Sequence, residues 1–269
     1  MQDRITLQVE SGIARVTLAR ADKMNALDTQ MFDAIVEVGE KLRSDSTVRV
    51  VVLSGEGRAF CAGLDVSNFA GMAEAGSSDA TGDSLAKRTH GIANKPQHAA
   101  LMWRELPVPV IAAVHGVAYG GGFQVCLGAD MRFTTRDTRF SVMEIKWGLV
   151  PDMGGTQLLR HLVRDDVARE LTYTGRVFEG EEAAALGLVT RVCDDPLAEA
   201  MAVAEGIAGR NPDAIRAAKR LLNSAPYLDM AEGLVAESVE QDAIIGQPNQ
   251  VEAVMASMEK RPASFAEAG

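Results

Sequence analysis

Cysteine is scarce: Cys61, Cys126 and Cys193 are too few and too far apart for a disulfide framework, and no CxxC or Cys/His pairing suggests a zinc site. A reducing compartment suits such a chain. Long apolar runs are missing as well, since the best candidate, Ala112 to Leu127, is interrupted by His115, Gly116, the glycines from Gly120 to Gly122 and Gln124. The opening stretch MQDRITLQVE has no apolar signal core. Basic charge is in deficit, with 27 Lys and Arg against 37 Asp and Glu and a formal net charge of -10. A field of that sign repels phosphates at long range, which excludes nucleic acid or an anionic membrane as the main partner and obliges any phosphate-bearing ligand to find a local basic patch. These absences lead to an expected cytoplasmic protein with no nucleic-acid or membrane partner.

What is present is an ordinary globular balance, 47% hydrophobic and 24% charged over 269 residues, enough for one large domain or a domain with an appendage. Ile5 to Val9 and Ile13 to Leu18 alternate apolar and polar residues around Ser11-Gly12, which predicts a hairpin. Met31, Ile35, Val38 and Leu42 recur at helical steps behind Asp28, the expected N-cap. Val48 to Leu53 is a dense β-branched run and reads as a buried strand. A second such run, Val110 to Val114, leads through Gly116 and Gly120 to Gly122 into a helix over Phe123 to Leu127, with Met131 to Thr134 as the next strand. Strand, glycine turn and helix therefore occur twice in order, which predicts an α/β fold of stacked ββα units with parallel sheets. Ala70 to Ser84 has no periodicity and reads as a loop over the site, and the equally patternless stretch on to Trp103 is expected to line the pocket. After Pro196 no strand pattern remains, and helices are expected at Asp213 to Leu222, Met230 to Ile245 and Val251 to Arg261. Residues 1–195 thus form the core and 196–269 a helical region whose apolar stripes exceed what one layer needs, implying subunit contacts.

Each buried run ends in a turn that presents backbone N–H groups at equivalent sheet ends, Gly57 to Asp65 after the first and Gly120 to Gly122 after the second. Two N–H groups can hold one oxyanion, and the helix that follows the triplet aims its positive end at the same point. A thioester enolate is the kind of charge such a pair stabilises, although a glycine triplet by itself is equally a tight strand-to-helix turn.

Several separated segments together resemble the crotonase (enoyl-CoA hydratase/isomerase) superfamily in order and spacing. They are Lys23-Met-Asn-Ala-Leu27, Ala59-Phe-Cys-Ala-Gly-Leu-Asp65, Val114-His-Gly-Val-Ala-Tyr-Gly-Gly-Gly122, Gly148-Leu-Val-Pro151, Gly154-Gly-Thr-Gln157, Ala183 through Gly187-Leu-Val189 to Val192, and Glu259-Lys-Arg-Pro262. The resemblance implies a crotonase-like spiral of ββα units with a C-terminal helical trimerisation region. It further implies a homotrimer or dimer of trimers, and an acyl-CoA thioester bound in a bent shape without a further cofactor or metal. By motif position it implies an oxyanion hole from the N–H groups of Ala62 and Gly121, with the adenine near Ala62, Leu64, Asp65 and Val66 and Gly121 also at the substrate, while Lys23 is a candidate for the CoA phosphates. Arg20 is a further candidate for the CoA phosphates, and Phe265 with Lys260 is expected to reach a neighbouring subunit's ligand. Asp65 equally reads as a helix cap, Cys61 as a small core residue and His115 as a satisfied strand-end residue.

The acid and base depart from the family's hydratase pattern. Hydratases carry two glutamates that hold and ionise a water; here the first position is Gln124 and only the second, Glu144, is a carboxylate. A glutamine amide can orient a water but cannot exchange its proton at neutral pH. Asp152 supplies a second possible proton carrier, in a pattern similar to the dienoyl-CoA isomerase branch, whereas a lone Glu144 resembles the Δ3,Δ2-enoyl-CoA isomerase branch. Asp152 also reads as the N-cap of a helix starting near Gly154. The leading expectation is an isomerase with Glu144 as base and Glu144 or Asp152 returning the proton. A 2-enoyl-CoA hydratase using Glu144, with Gln124 orienting the water, is the near alternative. A non-catalytic acyl-CoA-binding module is the alternative of another class. RNA binding is disfavoured by the acidic first helix, which carries Asp28, Asp33, Glu37 and Glu40 against Lys41 and Arg43, and a serine peptidase by the lack of Ser two residues after the triplet.

Overall fold

The computed structural model describes residues 3–65 and 84–268, so Val66 and the expected loop from Ala70 as far as residue 83 lie outside the described residues, and only the loop's last residue, Ser84, is within them. Strands β1 (Ile5–Glu10) and β2 (Ile13–Leu18) form the expected hairpin, with Ile5 facing Leu18 and Glu10 facing Ile13. Its turn has Ser11 and Gly12 at φ 52° and 77°, the two-residue geometry whose twist matches that of the strands. Helix α1 (Thr29–Ser44) begins where its periodicity begins, because Asp28 accepts a 2.8 Å hydrogen bond from the Met31 N–H. It returns the chain to β3 (Val50–Gly55), parallel to β2.

A helix then appears that periodicity did not reveal, α2 (Lys95–Glu105). Its signal is a capping box: the Asn94 side chain accepts from Gln97 N–H, and the Gln97 side chain accepts from Asn94 N–H. Trp103, expected at the pocket, is instead fully buried in the main core among Met102, Leu106 and Val108. The next elements are β4 (Val110–Val114), β5 (Val117–Tyr119), α3 (Gly121–Leu127), β6 (Met131–Thr134) and β7 (Arg139–Ser141). After a short 3-10 turn at Glu144–Trp147 come α4 (Gly155–Leu159), α5 (Asp165–Thr174), β8 (Phe178–Glu179), α6 (Gly180–Ala185) and β9 (Arg191–Val192).

The strands make two sheets: one of six in the order β1-β2-β3-β4-β6-β9, parallel except for the hairpin, and one of three in the order β5-β7-β8. In the small sheet β5 and β7 are parallel and β7 and β8 antiparallel. The central strands β3 and β4 are buried along nearly their whole length, which explains their unbroken apolar runs.

The C-terminal region is helical as expected: α7 (Pro196–Ala208), α8 (Pro212–Ser224), α9 (Met230–Ile244) and α10 (Pro248–Glu259). It is not uniformly an appendage, however. Ala200, Ala204 and Ala208 of α7 pack on Val50, Val52, Ile111 and Phe133, so this helix covers the second face of the large sheet. Helix α8 is pinned through Lys219, whose buried Nζ donates to Trp103 O, Val108 O and Asp130 Oδ2 at 2.8 to 3.1 Å. By contrast α9 buries no residue, and Leu234, Val235 and Val239 remain exposed. Among the described residues no helix is long and apolar enough to cross a membrane.

Candidate active site

The carboxyl ends of β3 and β4 release the two glycine-bearing turns on the same side of the sheet, and the chain stitches them together. Cys61 and Ala118 form a bridge, with Cys61 N–H donating to Val117 O and Tyr119 N–H to Cys61 O, both at 3.1 Å. Gly63, at φ 91°, lies so close that a Cβ there would stand 2.6 Å from Tyr119 O and 3.6 Å from Gly121 N. Only glycine tolerates that approach.

A third strip of chain, Met24 to Leu27, decides which N–H groups stay available. Ala62 N–H donates to Met24 O at 2.9 Å, Leu27 N–H to Gly63 O at 2.8 Å and Asp65 N–H to Leu27 O at 3.0 Å. The expected donor Ala62 is therefore already engaged and faces away from the site, which corrects that assignment. Alternation along the Leu27–Leu64 bridge instead turns the Leu64 N–H to the opposite side, and no described residue accepts from it. Gly121 is the first residue of α3, where an N–H has no partner within the helix. Leu64 and Gly121 are thus the pair of N–H groups on this side with no acceptor among the described residues.

Asn25, quoted above only as part of a motif, is the hub of this arrangement. Fully buried and at φ 55°, it donates through Nδ2 to Glu56 O, Ala59 O and Phe60 O at 2.8 to 3.2 Å, while its Oδ1 accepts from Arg20 N–H. Its signal was the Asn side chain itself, since a carboxamide carries two N–H donors and a separate carbonyl acceptor on one short side chain. Cys61 donates its thiol to Asn25 O and burial pushes it up to about 12, which makes it an inert core residue. His115 Nε2 lies 2.9 Å from Gly57 O, a satisfied strand-end residue.

The carboxylate side stands against the triplet. Glu144 opens the 3-10 turn after β7, and a Cβ at Gly120 would lie 3.3 Å from its Oε1. Gln124 Nε2 donates to that same Oε1 at 2.7 Å, and Gln124 Oε1 accepts from Met153 N–H at 2.9 Å and Gly155 N–H at 2.8 Å. The second carboxylate oxygen, Oε2, is buried with no partner among the described residues. Burial pushes the Glu144 carboxyl above its usual range, opposed by hydrogen bonds from its own N–H and Gln124, and the negative charge of Asp152 raises it further.

Asp152 reaches solvent at the rim, yet the protein around its carboxyl raises it too by desolvation. It is not the cap of α4: the N-cap position is Gly154, no side chain of the cap residue bonds the helix, and the Gly155 N–H is met by Gln124. Gln124 takes over that capping task.

The remaining CoA candidates divide. Lys23 is exposed on the turn before Met24, and Leu64 is part-buried beside Gly63. Arg20 is committed to the protein, its Nη1 lying 2.6 Å from Asp65 Oδ2 and 3.1 Å from Ala26 O, so Asp65 serves as its counter-ion and neither group is an open phosphate contact. Phe265 belongs to a tail fastened by Arg49 Nη2 to Phe265 O at 2.9 Å and by Asn249 to Ala266. Arg49 precedes β3, at the strand end opposite Leu64, so neither Phe265 nor this tail reaches the chain's own site. Lys260 is exposed at the end of α10.

The enoyl-CoA hydratase/isomerase family model matches residues 8–268. YngF of Bacillus subtilis (strain 168), itself only provisionally named an enoyl-CoA hydratase/isomerase, is 35% identical over 98% of this chain and 99% of its own. The peroxisomal Delta(3,5)-Delta(2,4)-dienoyl-CoA isomerase of Arabidopsis thaliana is 30% identical over 97% of this chain and 95% of its own. Among solved structures, an enoyl-CoA hydratase from Bacillus anthracis superposes with a TM-score of 0.88 at 29% identity, covering 97% of this chain and 98% of the other.

Proposed function

The chain belongs to the enoyl-CoA hydratase/isomerase family and is an enzyme of that type with a crotonase-like fold, and from this premise we propose that it shifts a double bond in an enoyl- or dienoyl-CoA. Glu144 Oε2 removes a proton from the acyl chain, the N–H groups of Leu64 and Gly121 hold the oxygen of the resulting enolate, and Glu144 or Asp152 returns the proton at another carbon. Donors aimed at a developing oxyanion in a water-poor site act without reorganising as the charge appears. A base with a raised pKa is poised nearer neutrality, where proton transfer in both directions is fastest.

The observation that carries this reading is the state of Gln124. Its carbonyl oxygen is held by Met153 and Gly155 and one of its N–H bonds by Glu144. No second carboxylate therefore faces Glu144 from that position, and the amide has no acceptor left with which to orient an attacking water. One Nε2–H remains, and relatives named hydratases keep the hydratase reading in view: Glu144 alone activates a water for addition to a 2-enoyl-CoA.

Turnover of 2-enoyl-, 3-enoyl- and 3,5-dienoyl-CoA by the same preparation separates the two. Isomerisation faster than hydration by tenfold or more, lost in Glu144→Gln, is the expected result; rapid hydration without isomerisation selects the alternative, and binding of all three thioesters without turnover selects the acyl-CoA-binding module. Lys23 and Val66 join the CoA site in this proposal, no cofactor is needed beyond CoA in the substrate, and the exposed apolar faces of α9 and α10 meet other copies in a trimer or dimer of trimers. Light scattering at micromolar concentration tests that assembly.

A further inference from the structure

We propose that Arg132 is a positioning residue for the anion site, fixing from its far end the helix that presents the Gly121 N–H and turning that helix's negative pole positive. The proposal rests on the reading that Leu64 and Gly121 hold the enolate oxygen.

Arg132 lies on β6 and is 4% exposed. Its Nε donates to Leu188 O at 2.6 Å and its Nη1 to Ala129 O at 2.5 Å, with Leu127 O at the edge of range at 3.5 Å. All these acceptors are neutral carbonyls, and Leu127 is the last residue of α3. The carboxylate whose field reaches Arg132 is Asp130, but its Oδ2 already accepts from Lys219 Nζ at 2.8 Å and Val110 N–H at 2.7 Å. Lys219, Asp130 and Arg132 together therefore carry one net positive charge inside the protein. Holding an arginine there costs desolvation that an apolar side chain would not incur, so simple filling of space does not account for it.

The other end of α3 supplies an account. The helix has seven residues, so its poles are only about 10 Å apart. A helix carries roughly half a positive charge at its N-terminus and half a negative charge at its C-terminus, and in one this short the negative pole still lies near enough to an anion at the N-terminus to offset about a quarter of what the positive pole contributes. A guanidinium bound to the carbonyls of Leu127 and Ala129 cancels that opposition and leaves a positive remainder. It also anchors the helix axially, and a shift of about 1 Å in a donor is enough to cost on the order of a hundredfold in rate.

Arg132→Lys and Arg132→Gln in the full chain test this, compared with wild type by thermal unfolding, by kcat and KM, and by exchange of the α-protons of a saturated acyl-CoA into D2O. The exchange reads enolate formation whichever net reaction the enzyme performs. A charge about 12 Å away at an effective dielectric constant of about 20 corresponds to roughly tenfold in rate. The expected result is a fall of about tenfold in kcat and exchange for Arg132→Gln, with KM within about twofold, and recovery of most of it in Arg132→Lys. Equal impairment of both variants, or of neither, overturns the proposal. Should Arg132→Gln fail to fold, Asp130→Asn decides: it keeps an acceptor for Lys219 and Val110 while raising the net charge, so exchange holds or rises, and a fall in the folded variant overturns the proposal. A wild type that exchanges no α-proton refutes the enolate reading itself, whereas exchanging wild type with unaffected variants refutes only the role of Arg132.

Discussion

The two sides of the site are made of different material. In the proposed reaction the working atoms of the anion side are backbone N–H groups, and their direction follows from hydrogen bonds that other residues make: Met24 engages Ala62, Leu27 orients Leu64, and Asn25 holds the three carbonyls in front of them. On the proton side the working atoms are carboxylate oxygens, and what matters is which of them is already bonded. Glu144 has one oxygen fixed by Gln124 and the other buried and unpartnered among the described residues. An anion site can therefore accept many side chains provided the backbone ladder is kept, while the proton side changes its chemistry with a single atom. Gln124, where the hydratase pattern has its first glutamate, leaves the geometry closed and removes a titrating group.

The sharpest way to break this division is Glu144→Gln. A general base contributes ~10²- to 10⁴-fold, and kcat for double-bond migration should fall by that much. Stability should respond in the opposite sense. A carboxyl whose folded-state pKa is raised binds its proton more tightly when folded, so stability is full below the unfolded pKa and is lost as pH rises toward the folded value. At neutral pH the amide should then unfold no earlier than wild type, and slightly later, with the difference vanishing in acid. A variant that is both inactive and markedly less stable at neutral pH would count against an ionised, unpartnered Oε2.

The anion side is probed by Gly63→Ala. The new methyl would meet Tyr119 O at 2.6 Å and require a residue with a side chain at φ 91°, so the Leu64 N–H must move. Loss of one donor of this kind costs about 10² to 10³ in kcat. Substrate binding measured with a saturated acyl-CoA should weaken far less, because the ground-state carbonyl depends less on the donor than the enolate does. Equal losses in binding and rate would mean that Leu64 is a binding group without preference for the enolate.

How much of this could be read from the sequence follows the same division. The hairpin, the Asp28 cap, the buried strands and three of the four C-terminal helices announced themselves through periodicity and turn residues. Helix α2 did not, because Lys95–Glu105 has little amphipathic contrast, and only the Asn94/Gln97 pair marked its start. The proton side was visible because residue type is chemistry: Gln124, Glu144 and Asp152 do meet at one place, and the capping alternative for Asp152 failed only when Gly154 proved to hold that position. On the anion side, motif matching pointed to Ala62, whose N–H the fold engages, and not to its neighbour Leu64, which the proposed function uses. Every non-proline residue has an N–H, and nothing in the letters Cys-Ala-Gly-Leu-Asp says that Ala62 is engaged by Met24. Arg20 illustrates the converse: as a basic residue near a phosphate-binding motif it suggested a ligand contact, yet a buried acid, Asp65, required it first.

The smallest effect separates the two carboxylates from each other. If Glu144 is the base, the rate with a 3-enoyl-CoA rises with pH as Glu144 ionises, along a limb lying above the ordinary carboxylate range because of burial. The negative charge of Asp152 contributes to that elevation, so Asp152→Asn should move the limb to lower pH, by less than about one unit given the exposure of Asp152 to solvent screening. The plateau rate should stay within a few-fold, since Asp152 holds no helix end and makes no side-chain bond that orients Glu144 among the described residues. With a 3,5-dienoyl-CoA, whose proton must be returned farther along the chain, the same variant should lose substantially more. A limb that moves to higher pH, or disappears with both substrates, would make Asp152 the titrating base and leave Glu144 as the group that supports it.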